Sequence, residues 1–165
     1  MEDLLIKKVD RENKDEFSHI IKIRRDVFIK EQNCTEESEW DDDMYKCEYY
    51  LAYYQEYPCA TLRYREKEGK IKIERVAVLQ EFRGKDIGKE IMEYILDILK
   101  EKKIEIMLHS QERVIGFYQK LGFQTYGQRF YEENIPHFAM NLKSCSTPPF
   151  NGIFKTILLT PLSLE

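Results

Sequence analysis

The spacing of apolar positions changes several times along the 165-residue chain, and each change marks an element. Leu4 to Val9 has weak strand character, after which Phe17, Ile20, Ile21, Arg24, Phe28 and Ile29 recur at helical spacing. Asn33 to Asp43 has no apolar period and carries Glu36, Glu37, Glu39, Asp41, Asp42 and Asp43 around Trp40, which predicts an acidic loop or a short helix. Tyr49 to Tyr54, Cys59 to Arg65 and Lys70 to Leu79 read as three antiparallel strands, with turns at Tyr57-Pro58 and Lys67-Glu68-Gly69. In the third, Ile71, Ile73 and Ala77 share one parity while Val76 and Val78 share the other, so a strand apolar on both faces belongs in the middle of the sheet. From Ile87, the residues Ile91, Met92, Tyr94, Ile95, Ile98 and Leu99 fall on one side of a 3.6-residue period, the clearest helix in the chain. Ile104 to His109 reads as a strand, Glu112 to Leu121 as a helix stopped by Gly122, and Phe123 to Tyr126 and His137 to Lys143 as closing strands. The expected fold is a single α/β (α+β) domain over residues 1–143, its mixed, mostly antiparallel sheet flanked by helices on both faces.

The composition narrows what such a domain can do. A formal charge of −4 opposes broad, sequence-independent nucleic-acid binding, which needs clustered Lys and Arg. Cys34, Cys47, Cys59 and Cys145 lack C-x-x-C spacing, and nothing near Met1 resembles a secretion signal, which fits reduced thiols in the cytoplasm. The apolar stretch Ile153 to Leu164 is interrupted by Lys155, Thr156, Thr160 and Pro161 and is too short to span a bilayer. Residues 144–165 begin at a break of Ser, Thr and Pro. Packing on the body, a homodimer interface and an unstructured extension are all open for this tail.

Between the central strand and the surest helix lies Arg83-Gly84-Lys85-Asp86-Ile87-Gly88-Lys89. A helix start offers unpaired N–H groups and the positive end of the helix dipole, so small residues there let backbone approach phosphate. Gly84 and Gly88 supply the closeness, and Arg83 and Lys85 add charge suited to a pyrophosphate. An ordinary capped surface turn has the same local signature, so the loop is informative only with its surroundings.

Those surroundings are Ile73-Glu74-Arg75-Val76-Ala77-Val78 before the loop and Phe117-Tyr118-Gln119-Lys120-Leu121-Gly122-Phe123 after it. Together the segments resemble the GNAT superfamily of N-acetyltransferases, the loop matching R/Q-x-x-G-x-G/A and the later segment F-Y-x-x-L-G-F. Arg24 to Gln32, Ala60 to Arg63, Lys72 to Val78 and Asn134 to His137 look like its YjcF-like and ElaA-like branch. The resemblance implies acetyl-CoA as co-substrate, held by Val76, Ala77, Val78, Arg83, Gly84, Lys85, Asp86, Ile87, Gly88, Lys89 and Tyr118, with no metal. It also implies a small-molecule amine acceptor; glucosamine 6-phosphate is a candidate because relatives acetylate it. Asp86 departs from the family's middle glycine: it tolerates a left-handed backbone, but its carboxylate would repel a pyrophosphate unless it faces solvent or pairs with Arg83 or Lys89. A catalytically weak acyl-CoA sensor or an interaction protein with this fold is the alternative reading.

For the chemistry, the resemblance makes Tyr118 the acid beside the leaving thiolate. A phenol of pKa ~10 donating fully to a thiolate of pKa ~8.5 is uphill by roughly 2 kcal/mol, so a hydrogen bond is its minimal role. Glu74 and His137 compete as general base, with His109 read as structural. Glu74 shares strand parity with Val76 and Val78, while a histidine is better matched to neutral pH. Arg24, Arg63 and Arg75 offer forked donors for an anionic substrate, and with Glu74 and His137 the first two form the expected acceptor site.

Overall fold

The structure is a computed structural model and describes residues 3–142. The expected tail, residues 144–165, lies outside the described residues. The chain runs β1 (Leu4–Val9), α1 (Lys14–Arg24), a π-helical stretch (Arg25–Glu31), α2 (Glu36–Glu39), β2 (Glu48–Tyr54), β3 (Tyr57–Lys67) and β4 (Lys70–Val78). It continues through α3 (Ile87–Leu99), β5 (Ile106–Gln111), α4 (Ile115–Lys120), β6 (Phe123–Glu132) and β7 (Ile135–Leu142). One seven-stranded sheet has the order β1-β2-β3-β4-β5-β7-β6. Every neighbouring pair is antiparallel except β4 and β5, which α3 connects as a parallel crossover. The predicted α/β fold and the central place of β4 are both present.

Helices cover the two faces. On one, α3 buries Ile87, Ile91, Met92, Ile95 and Leu99 against Ala60, Leu62, Ile71, Ile73 and Leu108. Each such buried side chain contributes about 1.5–3 kcal/mol relative to exposure. On the other, α1 places Ile20 and Ile23 against Tyr49, Leu51 and Ala77. Asn13 caps α1 by accepting from the Glu16 amide. No helix among the described residues is long and apolar enough to cross a membrane.

Three boundaries differ from those read in the sequence. Tyr57 and Pro58 belong to β3, and the hairpin turn is made by Gln55 and Glu56, both at positive φ (48° and 68°). Pro58 sits at the strand start, where its missing N–H costs least. The β6–β7 hairpin turns at Glu133 and Asn134 (φ 49° and 61°), so β6 runs on to Glu132 instead of ending at Tyr126. Helix α1 gives way to seven residues of π-helix, which carry Phe28 and Glu31 toward the centre of the sheet.

Candidate active site

The site begins with a parting of the sheet. β4 pairs with β5 only at Ile71, Lys72 and Ile73, opposite Ile106, Met107 and Leu108. From Glu74 to Val78 the β5-facing edge of β4 has no strand partner among the described residues, while β5 continues to Gln111 alongside β7. The register against β3 moves from Arg63–Glu74 to Thr61–Ala77, so β4 carries one extra residue there. The bulge is centred on Arg75, whose φ is +54°. Bulges bend a strand and increase its twist, which takes β4 away from β5.

The bulge also overturns the parity read from the sequence. Ile71, Ile73, Val76 and Val78 all pack on the α3 side, whereas Ala77 packs on the α1 side. Glu74, opposite Arg63, therefore faces α1 and does not share a face with Val76 and Val78. The left-handed conformation costs an ordinary residue about 1–2 kcal/mol. Arg75 is held in it by contacts to Glu39 Oε2 at 2.7 Å, the Ser38 carbonyl at 2.9 Å and Asp41 Oδ2 at 3.4 Å.

The parting opens a cavity of about 1000 Å³ that extends from the start of α3 to the β6–β7 hairpin. At the α3 end, Arg83, Gly84, Asp86, Ile87, Gly88 and Lys89 line it. The first amide bonded back into the helix is that of Glu90, to the Asp86 carbonyl, so among the described residues the amides of Ile87, Gly88 and Lys89 have no helical partner and can meet an anion. Gly84 has φ +77°. A Cβ on Gly88 would lie 3.4 Å from Val78 Cγ2 and 3.7 Å from Phe117 Cζ, so glycine keeps the helix close to β4. Asp86 takes a left-handed conformation (φ 56°), the role a middle glycine would play, and its exposed side chain makes no cap hydrogen bond. Neither expected partner reaches it: Arg83 pairs with Glu31 and Lys89 with Glu93. Lys85 lies over the rings of Tyr54 and Phe82 and does not line the cavity, so only its backbone could serve the expected cofactor role.

Midway along the cavity stands Tyr118, 9% exposed, edge-on to Phe117 at 5.0 Å and to Phe123 at 6.1 Å. Burial pushes its phenol pKa above the ordinary value. A less acidic phenol remains a hydrogen-bond donor but is a poorer source of a full proton.

The far end holds the histidines. His137 Nδ1 donates to the Ile135 carbonyl at 2.8 Å, a bond that leaves Nε2 as the basic atom of the neutral ring. Its ring is 7% exposed in the cavity wall and stacks on Phe130 at 5.9 Å. Glu132, unremarked in the sequence, lies between two imidazoles: Oε1 is 2.6 Å from His109 Nδ1 and Oε2 is 3.9 Å from His137 Nε2. The His109 hydrogen bond holds the Glu132 carboxyl below its usual range. An acid flanking a strand end next to a histidine was the available signal, but the sequence placed Glu132 between strands.

Glu74, Arg63 and Arg24 depart from the roles expected of them. Glu74 contacts Arg63 at 2.9 Å, Arg65 at 3.2 Å and Lys72 at 3.1 Å. Burial alone would raise its pKa, but these cations lower it to about 2, which makes it a poor base at neutral pH. Arg63, 1% exposed, spends its guanidinium on Asp41 (2.6 and 3.1 Å) and Glu74. Arg24, 0% exposed, is fixed by the Glu39 carboxylate at 2.5 Å, the Glu39 carbonyl at 2.7 Å and the Trp40 ring at 4.9 Å. Neither arginine lines the cavity; Glu74 and Arg75 do. The acidic segment is thus largely a clamp on β3 and β4, with Thr35 capping α2 through the Ser38 amide.

The site is thus a long cleft with helix amides at one end and a buried phenol and an imidazole beyond. Residues 12–144 match the acetyltransferase (GNAT) domain family, and the chain belongs to that family as an N-acetyltransferase. It is 40% identical over 124 residues to the Bacillus subtilis protein YyaT, covering 73% of this chain and 84% of YyaT. It is 30% identical over 137 residues to the uncharacterized N-acetyltransferase YjcF of the same organism, covering 82% and 98%. The crystal structure of Escherichia coli ElaA shares the fold with a TM-score of 0.75 at 22% identity, covering 84% of this chain and 98% of ElaA.

Proposed function

We propose that the chain moves the acetyl group of acetyl-CoA directly onto the primary amine of a small cytoplasmic molecule, with glucosamine 6-phosphate the candidate acceptor suggested by the branch it resembles. The observation that carries this reading is the unpartnered β4 edge from Glu74 to Val78, which runs from the α3 amides to Tyr118 and His137. Extended pantetheine can complete that edge as an added strand would, pairing backbone polar groups around Val76, Ala77 and Val78. The pyrophosphate then meets the amides of 87–89, with Arg83 and Lys89 adjacent.

In the reaction, the amine nitrogen attacks the thioester carbonyl carbon; the N–C bond forms and the C–S bond breaks. His137 Nε2 takes the proton from nitrogen, and the Tyr118 hydroxyl donates a hydrogen bond to the departing thiolate. Products are the amide and coenzyme A: the thiolate ends protonated, and the proton given up by His137 balances it. The test is thiol release with acetyl-CoA and a panel of glucosamine 6-phosphate, polyamines and amino-acid amines. Release only at the rate of acetyl-CoA hydrolysis across the panel would reject the reading.

A further inference from the structure

The two walls of the acceptor end differ in charge: the β3–β4 side mixes cations with carboxylates, and the β6–β7 side carries carboxylates and imidazoles. On the β3–β4 side, ion contacts join Arg24, Arg63, Arg65, Lys72 and Arg75 to Glu39, Asp41, Asp43 and Glu74, five cations to four carboxylates. Lys46, at the exposed rim, adds a further cation through Asp43. The cavity is lined by the network's cations Arg65, Lys72 and Arg75 and equally by its carboxylates Glu39, Asp41 and Glu74, while Arg24 and Arg63 stand behind them. Lys72 is only 12% exposed and meets one carboxylate, although an ammonium has three donors.

On the β6–β7 side the cavity is lined by Glu132, Glu133, His109 and His137. The only salt-bridge partners of Glu132 among the described residues are the two imidazoles. Lys72 adds a smaller electrostatic effect on Glu132 to that of the two imidazoles. His137, 7% exposed, lines the cavity, and among the described residues its Nε2 has no hydrogen-bond partner closer than Glu132 at 3.9 Å.

Resting on the acetyl-transfer reading, we infer that the acceptor is an amine that also carries an anionic group: its ammonium docks on Glu132 beside His137, and its carboxylate or phosphate docks on the Lys72–Arg75 wall. An amine arrives protonated at neutral pH, so it needs a carboxylate to bind the ammonium and a base that passes the first proton to solvent before the attack and takes the second during it. Glu132 and His137 supply both at one place. A desolvated cation facing an anion gains more than an exposed pair, because solvent screens it less. His109 fixes the Glu132 carboxylate through Nδ1, so Glu132 is presented to the ammonium in one orientation.

The test uses the full chain and matched acceptors at saturating acetyl-CoA: amino acids against their carboxamides, and glucosamine 6-phosphate against glucosamine. A charge-assisted contact predicts kcat/KM higher by about 10-fold or more for the anionic member of a pair. The carboxylate and phosphate pairs report separately which anion is taken. Lys72→Met should bring the ratio within a pair close to one, and Lys72→Arg should restore most of it. Glu132→Gln should raise KM for both members alike, which a purely structural role would not separate from kcat. Equal kcat/KM within every pair, with amines acetylated, overturns this inference and leaves acetyl transfer standing. Absence of transfer to any amine removes acetyl transfer itself, and this inference with it.

Discussion

The two ends of the cavity are built from different materials. The α3 end is backbone: free amides, two glycines and a left-handed Asp86, with charged side chains at the rim. The hairpin end is side chain: an ion network, two imidazoles and a shared carboxylate. Backbone recognition depends on where the chain turns and tolerates most side-chain changes. Recognition by a charge network depends on every partner, since removing one leaves another buried and uncompensated. Cofactor binding should therefore resist substitution where acceptor binding does not.

The largest effect expected comes from breaking the network at its centre. Arg63→Met leaves Asp41 and Glu74 without their shared cation and should cost about 3–5 kcal/mol in urea unfolding. A loss below about 1 kcal/mol would show that the network is not what holds the acceptor wall. Acid gives the same comparison without mutation. The folded pKa of Glu74, about 2, lies below the ordinary 4.5, so its ionised form is preferentially stabilised in the fold. That stability, about 3 kcal/mol, is fully present above pH 4.5 and is lost as pH falls toward 2. Glu74→Gln should flatten this part of the stability–pH curve; an unchanged slope would remove Glu74 as its source.

What was legible follows the same division. Helix α3 announced itself because Ile91, Met92, Ile95 and Leu99 repeat on one face, and the loop because glycines mark close approach. The bulge left no such mark. Arg75, not glycine, takes the positive φ, and one extra residue silently exchanges the faces of everything after it. Parity counted across that point placed Glu74 beside Val76, whereas the fold separates them. The clamp was hidden by distance, since Glu39 and Asp41 meet partners 15 to 36 residues away. One clue was present: Arg63 and Arg65 stand in the strand next to Lys72 and Glu74, and buried charge on adjacent strands requires acids from elsewhere. The run from Glu36 to Asp43 was the nearest supply.

At the other end, Gly84→Glu combines a side chain at φ +77° with a negative charge where phosphate is expected. CoA affinity should fall about 100-fold by calorimetry, an estimate equal to about 2.7 kcal/mol. Retained affinity would move the pyrophosphate away from this loop. The smallest effect belongs to Asp86→Gly, which relieves a left-handed non-glycine and removes an exposed carboxylate. It should tighten CoA by no more than about fivefold, less than about 1 kcal/mol. A rise in turnover from nothing to a normal rate would instead identify the natural chain as a CoA sensor.

Separation of the two ends is tested most directly by His137→Gln, read by two instruments on the same preparation. The account predicts that CoA affinity by calorimetry stays within about twofold while kcat for amine acetylation drops about 100-fold or more. Unchanged kcat, or a loss of CoA affinity as large as the loss of turnover, would contradict it.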